Sequence, residues 1–204
     1  MIDRLYDKCV RAKLLPYNPP RYWDRRGGDS YVKFGNAIPV DRVVSQVNFF
    51  RRAIEEAAPV NRLLDFGCGT GRMFPVWADI PHVYAYDIAE SQRAVAQQVD
   101  PGVIVVCPNG SGPNILPLSS SACDVVASCE VLLHIKPENL LAMLMDIVRV
   151  LRPGGRFAVI TAPSGECDAG HNFNHDYPAA FEAAGLSLLS DEERYGQRYL
   201  VGRK

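Results

Sequence analysis

Three glycines at alternate positions, directly after a short apolar run, constrain this chain more than any other feature. The stretch from Arg62 to Arg72 reads RLLDFGCGTGR, with Gly67, Gly69 and Gly71 in its second half. Glycine accepts positive φ and lets a ligand approach the bare backbone, so a strand breaking into such a turn reads as a nucleotide-binding corner. A second acidic residue, Asp87, closes the next apolar run about 20 residues on, where dinucleotide folds hold ribose hydroxyls. The dinucleotide spacing itself is not met. G-x-G-x-x-G requires glycine at position 72, which is Arg72, and the turn leaves no extra room for a pyrophosphate.

The segment from Asp65 to Gly71 (DFGCGTG) is similar, letter for letter, to the D-x-G-x-G-x-G motif of the class I S-adenosylmethionine (SAM)-dependent methyltransferases. The resemblance runs from about residue 61 to residue 160. It also takes in Asp87, the Leu116-Pro117 pair ahead of Cys123-Asp124, and the Arg149-to-Gly155 stretch RVLRPGG. It implies a doubly wound, seven-stranded, mostly parallel α/β sheet of Rossmann-like methyltransferase type, with SAM as cofactor. It further implies that Gly67, Cys68 and Gly69 carry the methionine half of SAM and that Asp65 orients its ammonium group. Asp87 would accept both ribose hydroxyls, since a carboxylate has two oxygens suited to bidentate acceptance. Ile88 would give the adenine an apolar floor.

The adenine end departs from the family, in which an acidic residue commonly follows strand three. Residues 107–114 (CPNGSGPN) contain none. Asn109, Ser111 or Asn114 can still supply an oxygen acceptor, and Asn109 is nearest the strand end. After strand four, the run from Ser128 to His134 (SCEVLLH) is similar to the family segment that closes over the methionine moiety, which places Cys129 and Glu130 at the cofactor. His134 is the candidate catalytic residue, for acid/base work or substrate orientation, because its ordinary pKa lies near neutrality. The other reading is a histidine that caps or braces the following loop.

Two other clusters draw notice. His171 and His175 stand four apart beside Cys167, Asp168 and Asp176. On a helix that spacing would suit a metal, but Gly170, Asn172 and Asn174 favour a loop, so no metal is expected and the two histidines are read as substrate contacts. Asn18-Pro-Pro-Arg-Tyr22 looks like the N-P-P-Y of amino-group DNA methyltransferases. It lies before the glycine turn rather than after strand four, and Arg21 breaks the spacing. Tyr17, Tyr22, Trp23 and Tyr31 instead suggest an N-terminal lid whose rings shield a sulfonium or a flat substrate. Tyr22, Trp23 and Tyr31 are accordingly candidate substrate contacts.

Periodicity organises the rest. Residues 2–15 are spaced for a short amphipathic helix stopped by Pro16, and 39–58 for a longer one ended by Pro59. Residues 17–36 have no regular period and read as an ordered loop or lid. Strands are expected at 63–66, 83–87, 103–107, 124–129, 156–161, 186–189 and 198–202, and helices at 71–78, 91–99, 137–151 and 178–184. In the family, the seventh strand enters antiparallel between the fifth and sixth. Arg152-Pro153-Gly154-Gly155 reads as a structural turn far from the ligand edge. One domain is expected, with residues 1–58 as N-terminal helices and lid and 59–204 as the SAM-binding core.

Composition narrows the function classes. The 204 residues are 48% hydrophobic, enough chain for a full core, without a run approaching the roughly 20 apolar residues of a membrane span. The N-terminus is too charged for a signal peptide. Six cysteines without C-x-x-C pairs suggest a reducing, cytoplasmic setting. Net charge is −1, yet residues 1–62 hold 12 of the 22 Lys/Arg and 7 of the 23 Asp/Glu. That surplus reads as a basic helix packed on an acidic body, or as recognition of an anionic acceptor; no basic stripe of a nucleic-acid binder is present. The expected activity is methyl transfer to a small molecule. The alternatives are a macromolecule methyltransferase and a SAM-binding module without turnover.

Overall fold

The computed structural model describes residues 2–26, 38–108, 116–163, 165 and 169–204, with side chains from Tyr6 onward. Tyr31, Asn109, Ser111, Asn114, Cys167 and Asp168 lie outside the described residues. Seven strands build one sheet: β1 (Arg62–Phe66), β2 (His82–Tyr86), β3 (Ile104–Val106), β4 (Cys123–Cys129), β5 (Leu151–Thr161), β6 (Ser187–Arg194) and β7 (Gln197–Arg203). Their order is β3-β2-β1-β4-β5-β7-β6. The first five are parallel, and β7 runs antiparallel between β5 and β6. The chain winds outward from β1 to β3, then restarts at β4 on the other side. Such a reversal opens a crevice at the carboxyl ends of β1 and β4.

The inner strands are apolar runs because both faces of the sheet are covered. One face packs Leu64, Val126, Phe157 and Leu200 under α5 (Pro137–Val150) and α6 (Tyr177–Ala184). The other packs Leu63, Val125 and Ile160 against Phe49, Phe50 and Ala53 of α3 (Val40–Glu55) and Ala96 of α4 (Glu90–Val99). Tyr6 and Val10 of α1 (Ile2–Arg11) join Tyr17 and, from α2 (Pro19–Arg26), Tyr22 in a third, small cluster. Each fully buried large side chain in these layers contributes roughly 1.5–3 kcal/mol. Among the described residues, no helix is long and apolar enough to cross a membrane.

At the amino edge, Asp124 ties the sheet's turns together. Its carboxylate accepts the Asn61 and Arg62 amides, both at 2.8 Å, and the Arg152 guanidinium at 2.6 Å. Burial would raise its pKa, yet these donors hold it below the ordinary value. Arg152 is therefore a structural clamp on the side of the sheet away from the crevice. At the far edge, Tyr195 and Gly196, both at positive φ, close a two-residue turn between β6 and β7, as right-twisted hairpins prefer.

Two local expectations fail for identifiable reasons. The helix expected at 71–78 is reduced to one 3₁₀ turn, Phe74–Val76. Gly71 sits at φ 85°, where its backbone leaves the helical region, and Pro75 has no amide to donate. Conversely, the aperiodic segment after Tyr17 contains α2. Asn18 caps it through its side-chain oxygen, which accepts the Arg21 amide at 3.1 Å, and the two prolines occupy its first turn. Eight residues are too few for periodicity to register.

Candidate active site

The glycine turn leaves β1 with Gly67 at φ 79° and Gly69 at φ 56°. The Gly67 and Cys68 amides both donate to the Tyr86 carbonyl, at 2.7 and 3.0 Å, which locks the turn to the end of β2. A Cβ on Gly67 would stand 2.2 Å from the stiff Val131 side chain, so the position admits no side chain on steric as well as conformational grounds. Asp87 completes the corner. One of its oxygens accepts the Gly69 amide and the other the Ala89 amide, both at 2.9 Å. Burial raises its pKa; the two amides and Arg93 work against that rise.

A cleft of about 900 Å3, counting the open solvent at its mouth, lies over this corner. Gly67, Gly69, Asp87, Ile88, Cys129 and Glu130 line it, and so do Trp23 and His134. Of the residues expected at the cofactor, Asp65 and Cys68 are not on its wall. Asp65 is 3% exposed and accepts the Trp77 indole N–H at 2.9 Å. Burial pushes its carboxyl up to about 7, against the Trp77 bond and the nearby Arg72. The Cys68 thiol is raised far above its ordinary range by burial, and its Sγ lies 3.5 Å from the Gly69 carbonyl.

Glu130 stands at φ 59°, held there by its amide donating to the Ile160 carbonyl at 2.7 Å. Gln197 donates to its carboxylate and in turn accepts from Gln46 at 3.0 Å and the Tyr199 hydroxyl at 3.1 Å. Gln46 accepts from Arg72 at 3.0 Å, and the other end of that guanidinium is 3.5 Å from the Cys129 sulfur. Burial raises the Glu130 pKa, with Gln197 opposing. Burial likewise pushes the Cys129 thiol up to about 12. Arg72, conspicuous in sequence as the residue where a third dinucleotide glycine would be, is thus the anchor of a polar chain running from α3 to the cleft wall.

His134 borders the cleft with Nδ1 2.9 Å from the His171 carbonyl. A carbonyl can only accept, so Nδ1 carries the proton and Nε2 keeps its lone pair. Burial lowers the His134 pKa to about 4. His171 stacks on it at 5.4 Å between centroids, and Tyr22 stacks on His171 at 4.9 Å. Neither His171 nor Tyr22 reaches the cleft: both lie behind it, in the packing that holds α2. His175 also faces away, its Nε2 meeting the Ile135 carbonyl at 3.0 Å. Among the described residues, no group of three His, Cys, Asp or Glu side chains converges as a metal centre.

Trp23, with Tyr17 and Pro19, brings the α2 segment onto the cleft wall. Its ring packs edgewise on His134 at 4.7 Å, and its indole N–H donates to the Tyr17 hydroxyl at 2.8 Å. Asp24 accepts from Ser91 at the start of α4, fastening α2 across the cleft. The basic side chains of α2 point elsewhere. Arg21 and Arg25 lie over the Tyr6 ring at 4.6 and 4.9 Å, and Arg26 donates to the Tyr22 hydroxyl at 3.1 Å. Lys136 is the Lys/Arg residue on the described cleft wall. Phe66, Tyr86 and Gln92 also line the cleft and were not picked out in sequence. Phe66 and Tyr86 could have been found, because each directly precedes a motif residue at a strand's carboxyl end.

Comparison with known proteins agrees with this geometry. A family model described as a methyltransferase domain matches residues 64–159. "Probable methyltransferase PMT22" of Arabidopsis thaliana is 28% identical over 178 residues, covering 81% of this chain. The chain spans 28% of that protein's length. A Haloferax volcanii methyltransferase solved with the Trm112 activator superposes with TM-score 0.66 at 16% identity, covering 92% of this chain and 98% of the other. SAM-bound CalS10, an amino pentose methyltransferase from Micromonospora echinaspora, gives 0.66 at 19% identity, with 85% and 94% covered. A SAM-dependent methyltransferase from Aquifex aeolicus gives 0.60 at 21% identity, with 74% and 87% covered. At these identities the structural likeness is one of fold.

Proposed function

We propose that this chain, whose residues 64–159 match a methyltransferase-domain model, transfers the methyl group of SAM to a small-molecule acceptor held beneath its N-terminal lid. The observation that carries the reading is one cleft that joins Gly67, Gly69 and Asp87 to Trp23 and His134. The glycine turn, Asp87 and Ile88 fit the cofactor: bare backbone for its methionine half, acceptor lone pairs for its ribose, an apolar face for its base. When bound, SAM supplies an activated methyl on a sulfonium with a good leaving group. Alignment of the acceptor then accounts for most of the acceleration.

In this reading residues 1–58 are the lid and 59–204 the core. Tyr17 and Trp23 cover the cleft, exclude water and present ring faces to positive charge. Glu130, braced by Gln197, adds a carboxylate to the same wall. His134 is a hydrogen-bond acceptor through Nε2 more than a proton store. With its pKa near 4, keeping a proton at pH 7 would cost about 4 kcal/mol. It therefore orients an acceptor hydroxyl or amine. The free cysteines support a reducing, cytoplasmic setting.

The test is incubation with SAM labelled in the methyl group against small-molecule extracts, protein and nucleic acid in parallel. Label in the small-molecule fraction is expected. Label confined to protein or nucleic acid would replace the acceptor class. Binding of SAM with no transfer to any fraction would indicate a module without turnover.

A further inference from the structure

Gln92 lies in the second position past Glu90, in the first turn of α4, and is 2% exposed, yet it borders the cleft beside Asp87 and Ile88. Its amide oxygen is enclosed and meets no donor among the described residues. A polar group buried without a partner is destabilising, and it persists in folded proteins where a function retains it. Its neighbours on this wall are engaged. Asp87 receives the Gly69 and Ala89 amides, Arg93 donates to the Asp87 carbonyl at 2.7 Å, and Ser91 is joined to Asp24.

A primary amide sets one acceptor beside two donors. That is the complement of the adenine edge, where an exocyclic amine donates and a ring nitrogen accepts. With that oxygen enclosed, reading the amine requires a half-turn of the amide about its last bond, which exchanges oxygen and nitrogen. Ile88, on the same wall, offers the apolar surface a purine face requires. The chain meanwhile has no carboxylate between Cys107 and Leu116, the segment in which the family it resembles commonly carries an acid for the adenine amine. The other donors of the cofactor are met elsewhere in the proposed site, its ribose hydroxyls at Asp87 and its ammonium group at the glycine turn.

We infer that Gln92 is the residue that recognises the amino edge of the adenine ring, taking the place of the missing acid after β3. This rests on the proposed use of SAM. It makes a helix residue, one turn past the ribose carboxylate, the base-reading element of the site.

The inference is tested by calorimetric titration of the full chain with S-adenosylhomocysteine and with its deamino analogue, in which hydrogen replaces the adenine amine. The parent should prefer the adenine ligand at least fivefold. Gln92→Leu should weaken S-adenosylhomocysteine about tenfold and change the deamino analogue less than twofold, erasing the preference. Its ligand-free melting temperature should not fall, because the substitution removes an unpartnered amide. Gln92→Met, of matching length, carries the same test if the branched side chain disturbs α4. A variant that keeps the full preference, or loses both ligands equally, overturns the inference while leaving the cofactor reading intact. A parent that binds neither ligand overturns the cofactor reading and the inference together.

Discussion

The carboxylate of Asp65 in β1 accepts the indole N–H of Trp77 at 2.9 Å, and both residues are almost completely enclosed. Asp65 is the first residue of the glycine motif, and here it fastens the turn to the core beneath. Burial brings its carboxyl to about 7, above its ordinary value of 3.8. A raised carboxyl pKa favours folding at low pH, and that contribution is lost as pH rises from about 4 through 7. Asp65→Asn keeps an oxygen for Trp77 without the charge. It should be more stable than the parent at pH 8, by about 1–3 kcal/mol, and similar at pH 4. Thermal unfolding at both pH values checks this; a variant with the parent's pH slope would contradict it.

The stacked pair His134 and His171 predicts the opposite slope. Burial lowers their pKa values to about 4 and about 3, below the ordinary 6.5. Both are neutral in the fold, so stability is full above pH 6.5 and declines as pH falls, to about 4 for His134 and about 3 for His171. His171→Phe keeps a ring against Tyr22 and removes one titrating group. Relative to the parent it should gain about 2 kcal/mol between pH 7 and pH 4.5. Denaturant melts at the two pH values give the comparison, and equal declines in both proteins would refute the buried neutral pair.

Asp87 holds the glycine turn and is the proposed ribose acceptor, and its removal should show both. Asp87→Ala deletes the expected ribose acceptor, worth roughly 1.5–3 kcal/mol of binding, and also frees the Gly69 and Ala89 amides. S-adenosylhomocysteine affinity should fall tenfold or more, and the ligand-free melting temperature should drop with it. An affinity within twofold of the parent would remove Asp87 from the cofactor site.

The lid should govern turnover. Trp23→Ala removes the ring on His134 and the bond to Tyr17. It should lower kcat about tenfold or more, with S-adenosylhomocysteine affinity changed less than threefold. Deletion of residues 1–36 should act in the same direction, since none of the described residues there belongs to a strand. Full turnover of the deleted chain would move acceptor recognition onto Glu130 and His134.

The arginines of α2 should not behave as substrate receptors. Arg21 and Arg25 stand over Tyr6, so replacing both with Ala should loosen α1 by roughly 0.5–1 kcal/mol for each contact. The acceptor's KM should keep its dependence on salt. A KM that rises and loses its salt dependence would restore the anionic-acceptor reading of the basic N-terminus.

What the sequence by itself determined was everything carried by local pattern. Apolar runs such as Val125 to Ala127 marked the strands, and the spacing of Gly67, Gly69, Asp87 and Glu130 marked the cleft's polar wall, because strand ends and tight turns are set by neighbours in the chain. The tertiary structure decided which side chains face that wall. Asp65 and His171 carry the chemistry expected of site residues, yet packing against Trp77 and Tyr22 turns both inward. Gln92 has an ordinary helical context, yet the fold brings it to the cleft with its amide oxygen unpartnered among the described residues. Arg21 and Arg25 look like an anion receptor until α1 supplies the ring that occupies them. Each of these outcomes depends on a residue distant in the chain, or on which face of an element the core covers. No local periodicity records that information.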